Sequence, residues 1–193
     1  MRFLVALFLL ASLAATSSHG QSGLPYPDSV VLFAFDEADE ARWGIVNDGV
    51  MGGRSRGYGE IKDGRVRFWG ELVTRGGGFT SVRSRVAVNL AGYDGLELRV
   101  RGSGRTFEVE VSDGERFRGR TVSRRGAFET TGEWTTVRVP FSSLRSSIFG
   151  QRVRTAPLDP SRIRSIGLYI LDGIDGPFEL EVDEIRAYRE QVL

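Results

Sequence analysis

Cysteine is absent from the sequence, histidine occurs once (His19) and lysine occurs once (Lys62). The lack of cysteine excludes disulfide bonds, thiol nucleophiles and thiolate metal sites. The positive charge is otherwise carried by arginine, which keeps its proton in proteins. The arginine side chains can therefore clamp an anion, but they cannot serve as a general base.

Long apolar runs are also missing, apart from residues 3–15. That run follows Arg2, precedes the small residues at 17–20, and is too short to span a bilayer. Residues 1–20 therefore predict a cleaved secretory signal peptide. We expect one domain over residues 21–193 that is periplasmic or secreted and not membrane-spanning after cleavage. The alternative is an uncleaved anchor.

Cleavage near residue 20 changes the charge and the chemistry of the mature chain. It removes Arg2, so that 25 basic residues face 25 acidic ones. A chain without net charge has no global positive field to steer a polyanion, which disfavours nucleic-acid binding. Cleavage also removes His19, and this excludes Ser-His-Asp triads, Cys-His triads and histidine metal sites.

Carboxylates are the remaining groups that could carry chemistry. Two of them at a suitable separation suffice for a glycosidase, but no pair is singled out by its surroundings. Asp172, Asp175 and Glu179 lie close in sequence and could offer oxygen ligands to calcium, although turn chemistry explains the same residues. We therefore predict a non-enzymatic protein with no cofactor and no metal site.

Alternation of apolar and polar residues predicts short strands separated by glycine-rich turns. The segments 95–101 and 107–111 share one phase across a turn at 102–104, which predicts an antiparallel hairpin. No segment has a long apolar period of 3.6 residues. The pattern therefore predicts an all-β fold, an antiparallel two-sheet β-sandwich, with further strands at 30–35, 65–72, 79–83, 134–139, 166–170 and 178–182.

The connecting segments carry weaker signals. Residues 116–126 are charged and dotted with glycine, which indicates a long loop or a weak edge strand, and residues 145–157 are interpreted as a loop. Asp159 followed by Pro160 is typical of a capped short helix. Ile185 falls out of phase with the strand before it, so a β-bulge is predicted just ahead of it, at residues 183–184.

Two glycine-rich segments, residues 43–55 and 76–83, are the most distinctive part of the chain. The first combines Asn47 and Asp48 with several glycines, the residue types that adopt positive φ at least cost. It therefore predicts a shaped loop. The structural alternative is a turn whose side chains cap their own backbone.

The second segment opens with three glycines and then alternates. This places Phe79, Ser81 and Arg83 on one face of a predicted strand. We interpret Asp48 and Arg83 as a charge-assisted pair that shapes a partner surface or binds a polar ligand.

The same two segments carry a family resemblance. The run W-x-x-x-N-D-x-V-M-G-G-x-S at residues 43–55 and the run G-G-F-x-S-V-R at residues 77–83 resemble the CIA30 family. This family is named for complex I intermediate-associated protein 30, a mitochondrial assembly factor with bacterial relatives. Later landmarks of the family fit residues 134–141, 158–163 and 176–182.

The resemblance implies a jelly roll of the galactose-binding kind. It also implies a scaffold or assembly-factor role, with a protein client or a membrane-complex subunit as partner. The mitochondrial member works in the matrix, whereas residues 1–20 of this chain predict export. A protein-binding sandwich is therefore expected, but complex I assembly itself is not carried over.

Aromatic residues support an alternative function, a carbohydrate-binding module of the cell envelope. Trp69 alternates onto the polar face of its strand, and Trp69 and Trp43 could stack on sugar rings. An exposed Trp69 on an open sheet face would favour sugar. Met51, flanked by small residues, suits either an adaptable interface or the core. The candidate binding residues are Trp43, Asn47, Asp48, Met51, Gly52, Gly53, Ser55, Trp69, Phe79, Ser81 and Arg83.

Overall fold

The computed structural model describes residues 27–36 and 43–190, and only the backbone of Val50 and Met51. The predicted signal peptide lies outside the described residues. The strands are β1 (Ser29–Phe33), β2 (Trp43–Asn47), β3 (Arg56–Lys62), β4 (Arg65–Leu72), β5 (Thr80–Val88), β6 (Gly95–Gly102), β7 (Thr106–Ser112), β8 (Arg116–Phe117), β9 (Arg120–Thr121), β10 (Ser123–Glu129), β11 (Thr135–Pro140), β12 (Arg145–Ile148), β13 (Gln151–Arg152), β14 (Ile163–Ile170) and β15 (Gly176–Tyr188).

The only helices in this part of the chain are short 3-10 turns at Asp48–Met51, Phe141–Ser143 and Pro160–Arg162. None of them could cross a membrane. The third begins as the sequence predicts, because the side chain of Asp159 caps it by accepting a hydrogen bond from the backbone N–H of Ser161 at 3.0 Å.

The strands form two large antiparallel sheets, and β8 pairs only with β9. The seven-stranded sheet has the order β13-β12-β10-β7-β14-β5-β2. The six-stranded sheet has the order β11-β6-β15-β4-β3, and β1 joins it beside β15. The long strand β15 pairs with β4 through its first half and with β1 through its second half. Its register against β6 shifts between Val182 and Glu184, which confirms the predicted bulge.

The two sheets pack face to face, and the inward positions of both build one core, so the predicted β-sandwich is confirmed. Strand β6 contributes Leu96, Leu98 and Val100, and the facing strand β7 contributes Phe107 and Val109. The hairpin predicted for these two strands is wrong, because they belong to different sheets. Their common phase shows that both face the same core, but a hairpin and a crossover between sheets share that property.

Residues 116–126, predicted as a long loop or a weak edge strand, and residues 145–157, predicted as a loop, contain more strand than expected. The first contains the β8–β9 hairpin and the start of β10, an interior strand, and the second contains β12 and β13. The core-facing positions of β10 are Arg124, Gly126 and Phe128, opposite Val111, Val109 and Phe107 of β7. An arginine and a glycine at inward positions hide the apolar alternation of this strand.

Candidate functional site

The carboxylate of Asp48 lies fully buried at the centre of the first glycine-rich segment. It accepts hydrogen bonds from the backbone N–H (3.0 Å) and the hydroxyl (2.7 Å) of Ser55. It also accepts hydrogen bonds from the backbone N–H groups of Gly78 (2.7 Å) and Phe79 (3.3 Å). The two glycine-rich segments therefore meet at one carboxylate.

Burial would raise the pKa of Asp48, but the hydrogen bonds from Gly78, Ser55 and Phe79 outweigh it and hold the pKa below its ordinary value. The carboxylate is therefore ionised at neutral pH. It is satisfied by neutral donors instead of by a cation.

Two glycines leave room for this carboxylate. A Cβ atom on Gly53 would lie 2.1 Å from Cγ of Asp48, and one on Gly77 would lie 2.5 Å from its Oδ2. Neither glycine is in the positive-φ region. Glycine is therefore needed at these two positions because a side chain would not fit beside Asp48, and not because of the backbone conformation. Gly52, in contrast, is needed for its backbone conformation, because it ends the 3-10 turn with a positive φ of 84°.

Asn47 ties the edges of the two sheets together. Its side-chain oxygen accepts hydrogen bonds from the backbone N–H of Gly57 (2.9 Å) on β3 and from the hydroxyl of Thr80 (2.5 Å) on β5. A Cβ atom on Gly57 would lie 2.1 Å from that hydroxyl oxygen. Asn47, which is partly buried, and Asp48, which is fully buried, thus form a structural junction, which we call the Asn47–Asp48 junction.

The ion pair expected between Asp48 and Arg83 is wrong. Within the described part of the chain Asp48 is engaged by Ser55 and the second glycine-rich segment, while the Nε–H of Arg83 donates to Ser81 at 2.8 Å. The reason lies in the strand phase. Thr80 points inward toward Asn47, whereas Arg83 points to the outer face of the seven-stranded sheet.

That outer face carries a groove of about 1480 Å³. Ser165 of β14 lies on its floor between Ser112 of β7 and Arg85 of β5. In the next row Gly167 lies between Glu110 and Arg83, and Gly44 completes the row on β2. Small side chains on neighbouring strands leave the depression open.

Tyr169 lies in the groove but is only 5% exposed. The guanidinium carbons of Arg83 and Arg125 are 4.7 Å and 5.2 Å from its ring centroid. They come from strands on opposite sides of β14. Burial, reinforced by the charge of Glu110, raises the pKa of Tyr169 far above its ordinary value, so the phenol stays protonated. Phe79 stacks beside it at 6.4 Å between centroids.

Two hairpins form the walls of the groove. The β8–β9 hairpin contributes Arg116 and Arg120, and the β12–β13 hairpin contributes Phe149 at its turn. Phe149 is 65% exposed, although it is a large apolar residue. The guanidinium carbon of Arg120 lies 5.3 Å from its ring centroid.

The tryptophans lie apart from one another. Trp43 packs against Phe33 with ring centroids 4.9 Å apart, and it also reaches one end of the groove. Trp69 lies half-buried on the outer face of the six-stranded sheet, between Tyr58 at 5.9 Å and the guanidinium of Arg67 at 4.6 Å. Of the predicted binding residues, only Trp43, Phe79, Ser81 and Arg83 therefore lie at or beside the groove. The side chain of Met51 is outside the described residues.

The carboxylates considered as calcium ligands are engaged by the protein. Asp172 forms a bidentate ion pair with Arg105 at 2.8 Å and 2.6 Å. Asp175 accepts the backbone N–H of Thr74 at 2.6 Å, and Glu179 pairs with Arg67. Within residues 27–36 and 43–190 no cluster of three potential metal-ligating side chains is present.

A family model of complex I intermediate-associated protein 30 (CIA30) matches residues 33–182. The chain belongs to the CIA30 family. It is 29% identical over 201 residues to the mitochondrial complex I intermediate-associated protein 30 of Mus musculus, covering 89% of this chain and 61% of the mouse protein. It is 27% identical over 143 residues to the probable Caenorhabditis briggsae counterpart, covering 67% of this chain and 40% of that protein. The chain thus spans only part of these relatives.

The solved structures that share this fold include carbohydrate-binding modules. The family 11 module of the Clostridium thermocellum cellulase Lic26A-Cel5E superimposes with a TM-score of 0.67 at 15% identity, over 86% of this chain and 96% of the module. The same family 11 module has been solved with a β-1,3-1,4-mixed-linked tetrasaccharide, and that structure superimposes with a TM-score of 0.66. At this identity the likeness concerns the fold, which is the jelly roll that the family resemblance implies.

Most residues of the groove were not predicted from the sequence. Arg85 could have been found, because it continues the alternation of Ser81 and Arg83 on the same face. Tyr169 and Glu110 occupy outward positions of strands that were predicted, but nothing in the sequence indicated which sheet they belong to. Phe149 lies in a segment interpreted as a loop, and Arg120 lies in one interpreted as a long loop or a weak edge strand.

Proposed function

We propose that this CIA30-family protein is a non-enzymatic, exported scaffold of the assembly-factor kind that holds a client protein in the groove of the seven-stranded sheet. The observation that carries the proposal is the groove itself, with a strongly exposed Phe149 on its wall. Exposed aromatic anchors beside arginines are typical of protein-binding surfaces. The names of the mouse and nematode relatives, which refer to complex I intermediates, support a role in assembly.

Export is proposed from residues 1–20, whose pattern is that of a signal peptide. It places the client among envelope or secreted proteins, so a membrane-complex subunit is a suitable candidate. Complex I itself is not proposed as the client.

The carbohydrate-binding alternative is less well supported, because stacking on a sugar requires an open aromatic face. Trp43 packs on Phe33, and Trp69 lies between Tyr58 and Arg67. Arg99 and Arg101 lie over the ring of Trp134 at 5.0 Å and 5.1 Å. Within the groove, Arg83 and Arg125 cover the ring of Tyr169.

A steric block tests the proposal without changing any charge. Gly44 lies on the groove floor, and a Cβ atom there would meet nothing within 4 Å. A tagged Gly44→Trp variant, purified from the native host, should lose a discrete client that the unmodified protein retains. Gly132→Trp is the matched control, since that site is equally open but does not line the groove. Equal recovery of the client by both variants would refute the groove as its binding site.

A further inference from the structure

The arginines on the two outer faces of the sandwich differ in how they are neutralised. On the six-stranded sheet the outward arginines of four strands all meet carboxylates. These ion pairs are Arg65–Glu181, Arg67–Glu179, Arg99–Asp183, Arg101–Glu181, Arg138–Glu97 and Arg186–Glu184. Apart from Arg56 and Lys62 on the edge strand β3, the basic side chains of that face are therefore paired with carboxylates.

The groove lacks this compensation. Arg125 pairs with Glu108 at 3.4 Å. Within the described residues the other four groove arginines form no ion pair: Arg83, Arg85, Arg116 and Arg120. Among the residues that the structure describes, Glu110 is the only acidic residue lining the groove, and its carboxylate accepts a hydrogen bond from Ser123. Although the mature chain carries no predicted net charge, this face concentrates uncompensated positive charge.

The groove walls show a second unusual feature. Phe149 and Gly150 form the two-residue turn between β12 and β13, with φ of 48° and 79°. Such turns favour Asn-Gly or Asp-Gly, and a bulky residue at the first position is costly. The β3–β4 turn, away from the groove, has the favoured pair Asp63-Gly64. Phe149 thus has an unfavourable backbone conformation and an exposed apolar side chain. A contact between this side chain and a ligand would explain why phenylalanine occupies the position.

We propose that the groove recognises an acidic, extended segment of the client polypeptide. Its carboxylates meet Arg83, Arg85, Arg116 and Arg120, and an apolar side chain of the segment packs on Phe149. This inference rests on the proposed function and names the chemistry of the partner. Guanidinium forks bind carboxylates with two parallel hydrogen bonds, which supplies both affinity and orientation.

Fluorescence anisotropy of the purified protein tests this inference. The probe is a fluorescein-labelled peptide of glutamate and serine around one central leucine, and a matched lysine peptide is the control. The acidic peptide should bind, the lysine peptide should not, and the affinity should fall as ionic strength rises. Failure of the acidic peptide to bind, or equal binding of both peptides, would overturn the inference.

Variants connect the binding to the groove. Arg85→Gln/Arg120→Gln should weaken binding at least about tenfold. Arg99→Gln/Arg138→Gln removes the same charge from the other sheet and should change it by less than about twofold. Phe149→Asn should raise the melting temperature, since asparagine suits the turn, yet weaken binding about fivefold. Equal losses in the two double variants, or no loss in Phe149→Asn, would contradict the inference.

Two further results distinguish a failure of this inference from a failure of the proposed function. If polygalacturonate or a single-stranded oligonucleotide binds the groove more tightly than the acidic peptide, the acidic-polypeptide assignment is wrong. If the client is still lost in Gly44→Trp while the acidic peptide does not bind, the groove remains the client site and only its charge preference is refuted.

Discussion

The backbone N–H of Gly78 donates a 2.7 Å hydrogen bond to Asp48, a residue 30 positions earlier in the chain. This contact joins the two segments that carry the most distinctive sequence pattern of the CIA30 family in this chain. The pattern is thus explained first by the fold: a buried carboxylate, the glycines that make room for it, and the N–H groups that satisfy it. The binding surface that we propose begins only beyond this junction, at Phe79 and Arg83.

Asp48→Asn should destabilise the protein by about 2–4 kcal/mol, because an amide cannot accept all the hydrogen bonds that the carboxylate accepts. Urea denaturation measures the loss. Asp63→Asn is the matched control, since Asp63 lies exposed in a turn at φ 52°, where asparagine is well tolerated. The control should change stability by less than about 0.5 kcal/mol. Similar losses of stability in both variants would contradict the stabilising role assigned to Asp48 in the Asn47–Asp48 junction.

Gly53→Ala should cost about 1–3 kcal/mol, because its new methyl group would collide with the carboxylate of Asp48. Gly49→Ala, four positions earlier in the same motif, should be nearly neutral, since a Cβ atom there meets nothing within 4 Å. Neither position has positive φ, so thermal unfolding of the two variants isolates the steric effect. Equal stability of the two would show that space around Asp48 is not limiting.

Acid should selectively remove the contribution of Asp48. Because its pKa is lower in the folded than in the unfolded protein, the stabilisation is fully present above the unfolded pKa and is lost as pH falls through the folded pKa. The stability difference between wild type and Asp48→Asn should therefore be constant at neutral pH and shrink below about pH 4. Urea titrations across this range measure it, and a difference that persists undiminished in strong acid would contradict the assignment.

Arg124→Met should cost about 3–5 kcal/mol, because it leaves the carboxylate of Asp113 buried without its cation. The two side chains meet at 2.5 Å and are 2% and 1% exposed. Arg67→Met breaks an ion pair with Glu179 whose partners are 40% and 46% exposed, and it should cost less than about 1 kcal/mol. Combining Arg124→Met with Asp113→Asn should recover part of the loss. Strict additivity of the two changes would exclude coupling.

Much of the fold was predictable from the sequence, because strands with one wet face show their alternation directly. Strand β4 and the bulge in β15 were found in this way. Strand β10 was not predicted because Arg124 and Gly126, which are not apolar strand residues, occupy core-facing positions. Arg124 can be buried there because it forms an ion pair with the buried Asp113, a contact that the local sequence does not show. The hairpin predicted for β6 and β7 is wrong, because alternation shows which side of a strand faces the core but not which sheet the strand joins.

The candidate site was predictable only in part. The segments of the Asn47–Asp48 junction were recognised, but the partners of Asp48 were not, since backbone N–H groups have no sequence signature. Arg83 was placed on the correct face and paired with the wrong residue. Phe149 and Arg120 depend on how two hairpins project beside the sheet, which local sequence does not specify.

Photo-crosslinking from Phe149 tests the central claim most directly. The photoreactive p-benzoylphenylalanine replaces Phe149 on the groove wall, or Tyr58 on the other sheet as the matched control, since both are exposed aromatic residues at 65% and 51%. In the native host, the probe at position 149 should capture a discrete client through an acidic segment mapped by mass spectrometry, and the probe at position 58 should not. Capture of the same client from position 58 alone would contradict the assignment of the groove as the binding surface.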